Sequence, residues 1–111
     1  MTVTSFSPTE DTFINGYGVD KTTNYGTGVH IRVGMTSGAT IGRGLIEFYD
    51  LSGIPAVDNL IINSVTLKLT ISANAAANNR TVSCYRLKVG WDEMAATWVK
   101  RTAAAYWTAD G

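Results

Sequence analysis

Few residues of this chain combine the types and spacing that bond-breaking chemistry needs. Hydrolysis of a glycosidic bond uses two carboxylates that flank it, and the most suggestive acids here are the adjacent Asp92 and Glu93. They open a segment with helical spacing, where acids stabilise the positive end of the helix dipole, so capping is the favoured role. The sequence also lacks a Gly-x-Ser-x-Gly elbow, a His-Glu-x-x-His pair and a phosphate-binding glycine loop. It therefore predicts a protein without a catalytic site.

The other reactive side chains are isolated. Cys84 is the sole cysteine and lies in the apolar run 82–85, which predicts a buried structural thiol rather than a nucleophile. His30 has no second histidine with which to bind a metal. A calcium site of Asp and carbonyl oxygens is compatible with a β-sandwich, but no spacing assigns one, so no cofactor is expected.

Aromatic rings are the remaining candidates for ligand binding. A flat ring can stack on the apolar face of a sugar while neighbouring polar groups bind its hydroxyls. The candidates are the rings in glycine-rich loops and in the polar C-terminal segment: Tyr17, Tyr25, Tyr106 and Trp107. Each has a competing interpretation as a loop anchor. Trp91 and Trp98 share a helical face and are predicted to belong to the core.

Size and charge limit the class of protein. The 111 residues suffice for one domain, and 45% hydrophobic residues support a folded core. Nine basic residues balance nine acidic ones, so neither nucleic acid nor an anionic membrane is an expected partner. The first residues do not have the pattern of a secretory signal. The chain is therefore expected either to have lost a signal or to leave the cytoplasm by another route.

The strongest secondary-structure pattern is a strand over 64–72. Apolar and polar residues alternate there, which predicts one face in the core, composed of Val65, Leu67, Leu69 and Ile71. A polar loop over 74–79 and a return strand over 81–89 should follow. The apolar phase changes within that strand, which predicts a β-bulge near Cys84 or a strand covered on both faces.

Shorter strands precede this hairpin, at 11–14, 29–33 and 44–49, each bounded by glycine. The run 45–49 is apolar on both faces except for Glu47 and is expected to lie centrally between layers. Only the segment from Trp91 to Trp98 has helical spacing, which predicts a short helix or 3₁₀ turn at one end of the core. The fold class is therefore all-β, an antiparallel β-sandwich with one helical turn.

Six motifs in order resemble a known family. They are Asp11-Thr-Phe-Ile-Asn15, Asn24-Tyr-Gly26, Arg43-Gly-Leu-Ile-Glu-Phe48, Asp50-Leu-Ser-Gly-Ile-Pro55, Ser64-Val-Thr-Leu-Lys-Leu69 and Trp91-Asp-Glu-Met-Ala-Ala-Thr-Trp98. Together they resemble the DNRLRE-type modules, also called carbohydrate-binding module family 96 or disaggregatase-related repeats. The resemblance implies a jelly roll without catalytic residues, found in polysaccharide-active proteins, surface proteins and phage virions. The structural motif residues would be Asp11, Arg43, Asp50, Trp91, Glu93 and Trp98. Independently of the resemblance, Asp11, Glu47 and Asp50 lie in or beside predicted strands, and a buried acid among them is expected to pair with Arg43.

Two departures from the family pattern bear on the fold. Tyr49 is inserted before Asp50, where the family reads Phe-Asp-Leu-Ser, so a bulge is expected. The family module also continues beyond the tryptophan motif, so residues 1–111 are expected to form a single domain that is the N-terminal part of a longer module. Strand edges left open in this way would be covered by other chains.

Two functional hypotheses follow. The first is a non-catalytic structural or adhesion module of an extracellular or phage virion assembly, such as a fibre, decoration or tail component, with other protein chains as partners. The alternative is a carbohydrate-binding module that targets a polysaccharide-degrading enzyme to its glycan. The order of motifs supports both, the exposed edge favours the first, and the loop aromatics favour the second.

Overall fold

A computed structural model describes residues 3–35, 41–73 and 81–108. Strand β1 is Glu10–Asn15, β2 is Gly34–Met35 and β3 is Ile41–Glu47, and a 3₁₀ helix spans Gly18–Thr22. The strands form one antiparallel sheet in the order β1-β3-β2. The all-β antiparallel class is thus confirmed. Within these described ranges, no helix has the length and apolar character that a membrane crossing requires.

The ladder between β1 and β3 positions the rest of the molecule. It runs without interruption from Glu10 opposite Glu47 to Asn15 opposite Gly42, and β3 is the central strand of the sheet. The prediction of a bulge at Tyr49 is wrong, because this residue lies beyond the last pair of the ladder. Its N–H instead donates a hydrogen bond to Thr9 Oγ1 over 3.2 Å.

One face of this ladder carries the hydrophobic core. Ile14 and Leu45 project from the sheet and pack with Trp91, Ala96 and Trp98 from the C-terminal part of the chain. Val99 and Trp107 lie partly buried against the same cluster. The prediction that both motif tryptophans are core residues is confirmed. Burial of each large apolar side chain here contributes about 1.5–3 kcal/mol to stability.

The predicted helical segment is a single turn. The N–H groups of Ala95 and Ala96 both donate to the Asp92 carbonyl, over 3.1 and 2.7 Å, and the turn goes no further. Helical spacing would place Met94 and Ala95 on one face with Trp91 and Trp98. In the structure Met94 is exposed, whereas Ala96 is fully buried. A single turn does not maintain helical spacing over eight residues, and this explains the difference.

The predicted strand 64–72 is not formed in the structure. Residues 60–71 run without a turn or bend, and within the described chain they make no backbone hydrogen bond to another segment. Their apolar residues are exposed, from 44% for Leu60 to 88% for Val65. The prediction that this face enters the core is therefore wrong, because no described strand or layer lies alongside to cover it.

The return strand and its neighbours also differ from expectation. Residues 81–89 pair with nothing in the described ranges, so neither the strand nor its bulge is present there. Cys84 is exposed, not buried, because the segment that carries it is unpacked. Residues 29–33 form no strand; within 29–35, Gly34 and Met35 alone pair with β3. The loop predicted over 74–79 lies outside the described residues.

Candidate functional site

The loop at Asn24 docks on the helical turn through a set of fixed polar contacts. The Asn24 Nδ2 group donates to the carbonyl oxygens of Glu93 and Ala96, both over 2.8 Å, while Oδ1 accepts from the Gly26 N–H over 3.1 Å. A Cβ atom at position 26 would overlap the Glu93 carbonyl oxygen, so only glycine allows this approach. We refer to residues 24–26 with the turn 92–96 as the clasp.

The two acids of the turn, Asp92 and Glu93, form hydrogen bonds with backbone N–H groups. Glu93 Oε1 accepts a hydrogen bond from the Asp11 N–H over 2.9 Å, a contact between residues 82 positions apart in the chain. Asp92 Oδ1 accepts from the Met94 N–H over 2.9 Å, which closes the turn locally. Both carboxylates bind backbone N–H groups: Asp92 caps its own turn, as predicted, whereas Glu93 binds a distant strand instead of capping.

An open cleft lies on the sheet face opposite the core. It has a volume of about 410 Å³, and its floor includes Asp11 and Ile46, which are paired across β1 and β3. Residues 29–31 line it from one segment and Leu69, Thr70 and Ser72 from another, with Pro8 completing the lining. The volume falls within the roughly 300–1,000 Å³ range of small-ligand sites.

The cleft combines two kinds of surface. The Asp11 carboxylate accepts hydrogen bonds, the hydroxyls of Thr70 and Ser72 accept and donate, and the His30 imidazole offers one group of each kind when neutral. Ile31 and Ile46 add aliphatic surface. A ligand with many hydroxyls and an apolar C–H face matches this lining. Asp11 is well placed for such a role because Glu93 holds its backbone.

The four aromatic candidates lie outside this cleft. Tyr25 stacks on Phe13 with ring centroids 4.2 Å apart, so its ring anchors the clasp to the sheet. Trp107 packs on the core and donates from Nε1 to the Thr97 carbonyl over 2.8 Å. Tyr17 and Tyr106 are exposed, and the Lys100 ammonium lies 5.2 Å from the Tyr106 ring centre.

The remaining motif residues have structural contacts. Arg43 does not pair with an acid in the described part of the chain. Its guanidinium lies 4.8 Å from the ring centre of Trp98, because Arg43 is paired with Ile14 and so lies on the core face of the sheet. The prediction of an ion pair is therefore wrong. Asp50 Oδ1 accepts from the Ser52 N–H. The hydroxyl and the N–H of Ser52 lower the pKa of Asp50 below its ordinary value of 3.8.

Metal-binding side chains do not converge: the described ranges contain no group of three His, Cys, Asp or Glu residues suited to an ion. The cleft itself has one carboxylate and one imidazole. These groups can form hydrogen bonds, and the aliphatic residues of the lining offer apolar contact.

Comparison with known protein families gives a match over nearly the whole chain. The profile of carbohydrate-binding module family 96 matches residues 2–110. The chain belongs to this family. It is accordingly a non-catalytic module, as the absence of a readable acid–base pair predicted. No curated protein and no solved structure matches it. Membership in family 96 favours the glycan-binding hypothesis over a structural role in a virion.

Sequence reasoning missed the cleft residues. His30 was considered only as a metal ligand, and Leu69 and Thr70 only as parts of a paired strand. The available signal was weak: a histidine between two β-branched residues, in a short run bounded by glycine. Which segments meet across a sheet depends on topology, and the spacing of single residues does not encode it.

Proposed function

We propose that this family 96 module binds a segment of polysaccharide in the cleft between residues 29–31 and 69–72. The observation that carries the proposal is the position of the Asp11 carboxylate, on the paired strand β1 and beside aliphatic surface, in an open cleft of sugar-binding size. In this account the three-stranded sheet is one part of a jelly-roll sandwich, and the module acts outside the cell, where polysaccharides occur.

Binding in this site would combine directional hydrogen bonds with apolar contact to the sugar ring. Sugar hydroxyls donate to Asp11 and exchange hydrogen bonds with His30, and the pyranose C–H face packs on Ile31 and Ile46. Because the cleft is open, a chain can extend beyond it at either end. The module would concentrate its host protein on the glycan without altering a bond.

Titration of the module with a panel of neutral and acidic oligosaccharides, followed by calorimetry, tests the site. Asp11→Asn keeps the side-chain size and removes the charged acceptor, and we expect at least about tenfold weaker binding from the loss of a charge-assisted hydrogen bond. Tyr106→Ala is the control, since Tyr106 is exposed and outside the cleft. Normal binding by Asp11→Asn together with loss in Tyr106→Ala would move the site to the exposed aromatics.

A structural role in an extracellular or virion assembly is the second candidate. The exposed apolar residues of 60–73 and 81–89 favour it, since other subunits could cover them. The genes that flank this one separate the candidates: lyase or hydrolase genes accompany a glycan-targeting module, and capsid or tail genes accompany a virion component.

A further inference from the structure

The segment 64–72 reads almost the same in both directions. Around Lys68 stand Leu67 and Leu69, then Thr66 and Thr70, then Val65 and Ile71, then Ser64 and Ser72. Antiparallel pairing of two identical strands reverses one of them, so a sequence of this kind places apolar residues opposite apolar residues and threonines opposite polar residues. Such a strand is complementary to a second copy of itself.

The structure leaves this segment ready to pair. It runs without a bend, and its backbone N–H and C=O groups make no hydrogen bond to another described segment. Its apolar side chains are exposed, Val65 and Ile71 by 88% and 78%. An extended, unpaired and apolar strand is a template for strand addition.

The chain also has more surface than a folded monomer needs to expose. Its accessible surface is 9031 Å², whereas a folded 11.9 kDa protein exposes about 5,900 Å². Its radius of gyration is 16.2 Å, against about 13 Å for a compact chain of this length. The excess of about 3,000 Å² exceeds the roughly 800 Å² that each partner buries in a standard interface.

Within the same chain, the segment that could pair with 64–72 is 81–89, but it matches this strand less well than a second copy does. Val82 and Cys84 lie on one face, whereas Tyr85, Leu87 and Val89 lie on the other. Paired along its length with 64–72, it would turn part of its apolar set away from the apolar face. Self-pairing keeps a single apolar face throughout.

We propose that this module forms a symmetric dimer through antiparallel pairing of residues 64–72 with the same residues of a second copy. The like charges at Lys68 exclude the register in which Lys68 opposes itself. A shift of two residues places Leu69 opposite Leu69, Leu67 opposite Ile71 and Lys68 opposite Thr70. This register also keeps Val65 opposite an apolar residue, Ala73.

Sedimentation velocity of the full chain over a range of concentrations tests the proposal. The native protein should form a dimer that grows no further. Leu67→Lys, which places a charge on the paired apolar face, should abolish the dimer, and Thr66→Lys, with the same charge on the other face, should retain it. Leu69, Thr70 and Ser72 of this segment line the cleft, but Leu67 and Thr66 do not, so glycan binding by the monomer should survive in both variants. Failure of the dimer is therefore distinct from failure of the glycan site.

Hydrogen exchange gives an independent readout. In the dimer, the amides of 65–71 should exchange more slowly as concentration rises. A monomer at all concentrations, open-ended aggregation, or equal weakening by the two lysine variants would overturn the proposal. Protection of 65–71 that does not depend on concentration would do so as well, because it would indicate an intrachain hairpin.

Discussion

Two regions of this molecule have similar apolar content and contrasting environments. The first, the packed region, consists of β1, β3, the clasp and residues 91–107, and it contains Ile14 at 2% and Ala96 at 0% exposure. The second, the open region, comprises 57–73 and 81–89, where Val65 and Tyr85 are exposed by 88% and 87%. Hydrophobicity alone therefore does not decide which segment is buried.

The difference lies in backbone satisfaction. In the packed region, Asn24 and Glu93 bind main-chain groups of distant segments, and the ladder of β1 with β3 pairs the strands. Burial is favourable there because the main-chain groups of the paired strands keep their partners; among the described residues, Thr12 Oγ1 and Asn15 Oδ1 are the side-chain atoms buried without one. In the open region, burial of the same kind of apolar side chain would also bury backbone N–H and C=O groups that have no hydrogen-bond partner, unless another strand lay alongside. A partner for the backbone is thus the requirement for a buried strand.

The largest contrast should come from aromatic truncation. Trp98→Ala removes a buried ring from the core and should lower the free energy of unfolding by about 3–5 kcal/mol. Tyr85→Ala removes an exposed ring and should stay within about 0.5 kcal/mol of the native protein. Urea denaturation at low protein concentration measures both, and equal costs would mean that the open region is packed in solution.

A smaller effect is expected in the clasp. Asn24→Asp keeps the acceptor for the Gly26 N–H but loses the donors to two carbonyl oxygens, so we expect a loss of about 2–3 kcal/mol. Asn63→Asp makes the same chemical change at an exposed site in the open region and should be nearly neutral. The same denaturation experiment decides, and a neutral Asn24→Asp would show that the clasp does not stabilise the fold.

The smallest of the three tests concerns close approach. Gly26→Ala forces a methyl group against the Glu93 carbonyl and should cost about 1–3 kcal/mol through displacement of the loop. Gly90→Ala is the matched control, because no atom lies within 4 Å of a Cβ there and the backbone has no positive φ. Thermal unfolding should separate the two variants, and identical melting temperatures would contradict the docked loop.

Sequence reasoning succeeded where local and long-range requirements agreed. The strand at 11–14 and the buried tryptophans were predicted because their patterns coincide with an available partner, the ladder and the core cluster. It failed at Leu67. If the strand were covered, Leu67→Ala would lower the free energy of unfolding by about 2–5 kcal/mol. With Leu67 45% exposed, the expected cost in the monomer is about 1 kcal/mol.

The site was less predictable than the fold. Tyr25 has the residue type and the loop of a sugar platform, yet it stacks on Phe13. The cleft residues Asp11 and His30 are 19 positions apart and meet only because 29–31 passes over the sheet. Their proximity depends on chain topology, which the spacing of apolar residues and the amino-acid composition do not specify.

Residue-resolved hydrogen exchange of the monomer tests the contrast between the two regions most directly. We expect slow exchange for ladder amides of β1 and β3 and for the Asp11 amide bound to Glu93, because these donors are paired. Amides of 60–71 and 81–87 should exchange at nearly the rate of an unfolded chain. Comparable protection of the two regions at concentrations where the protein is monomeric would contradict the account.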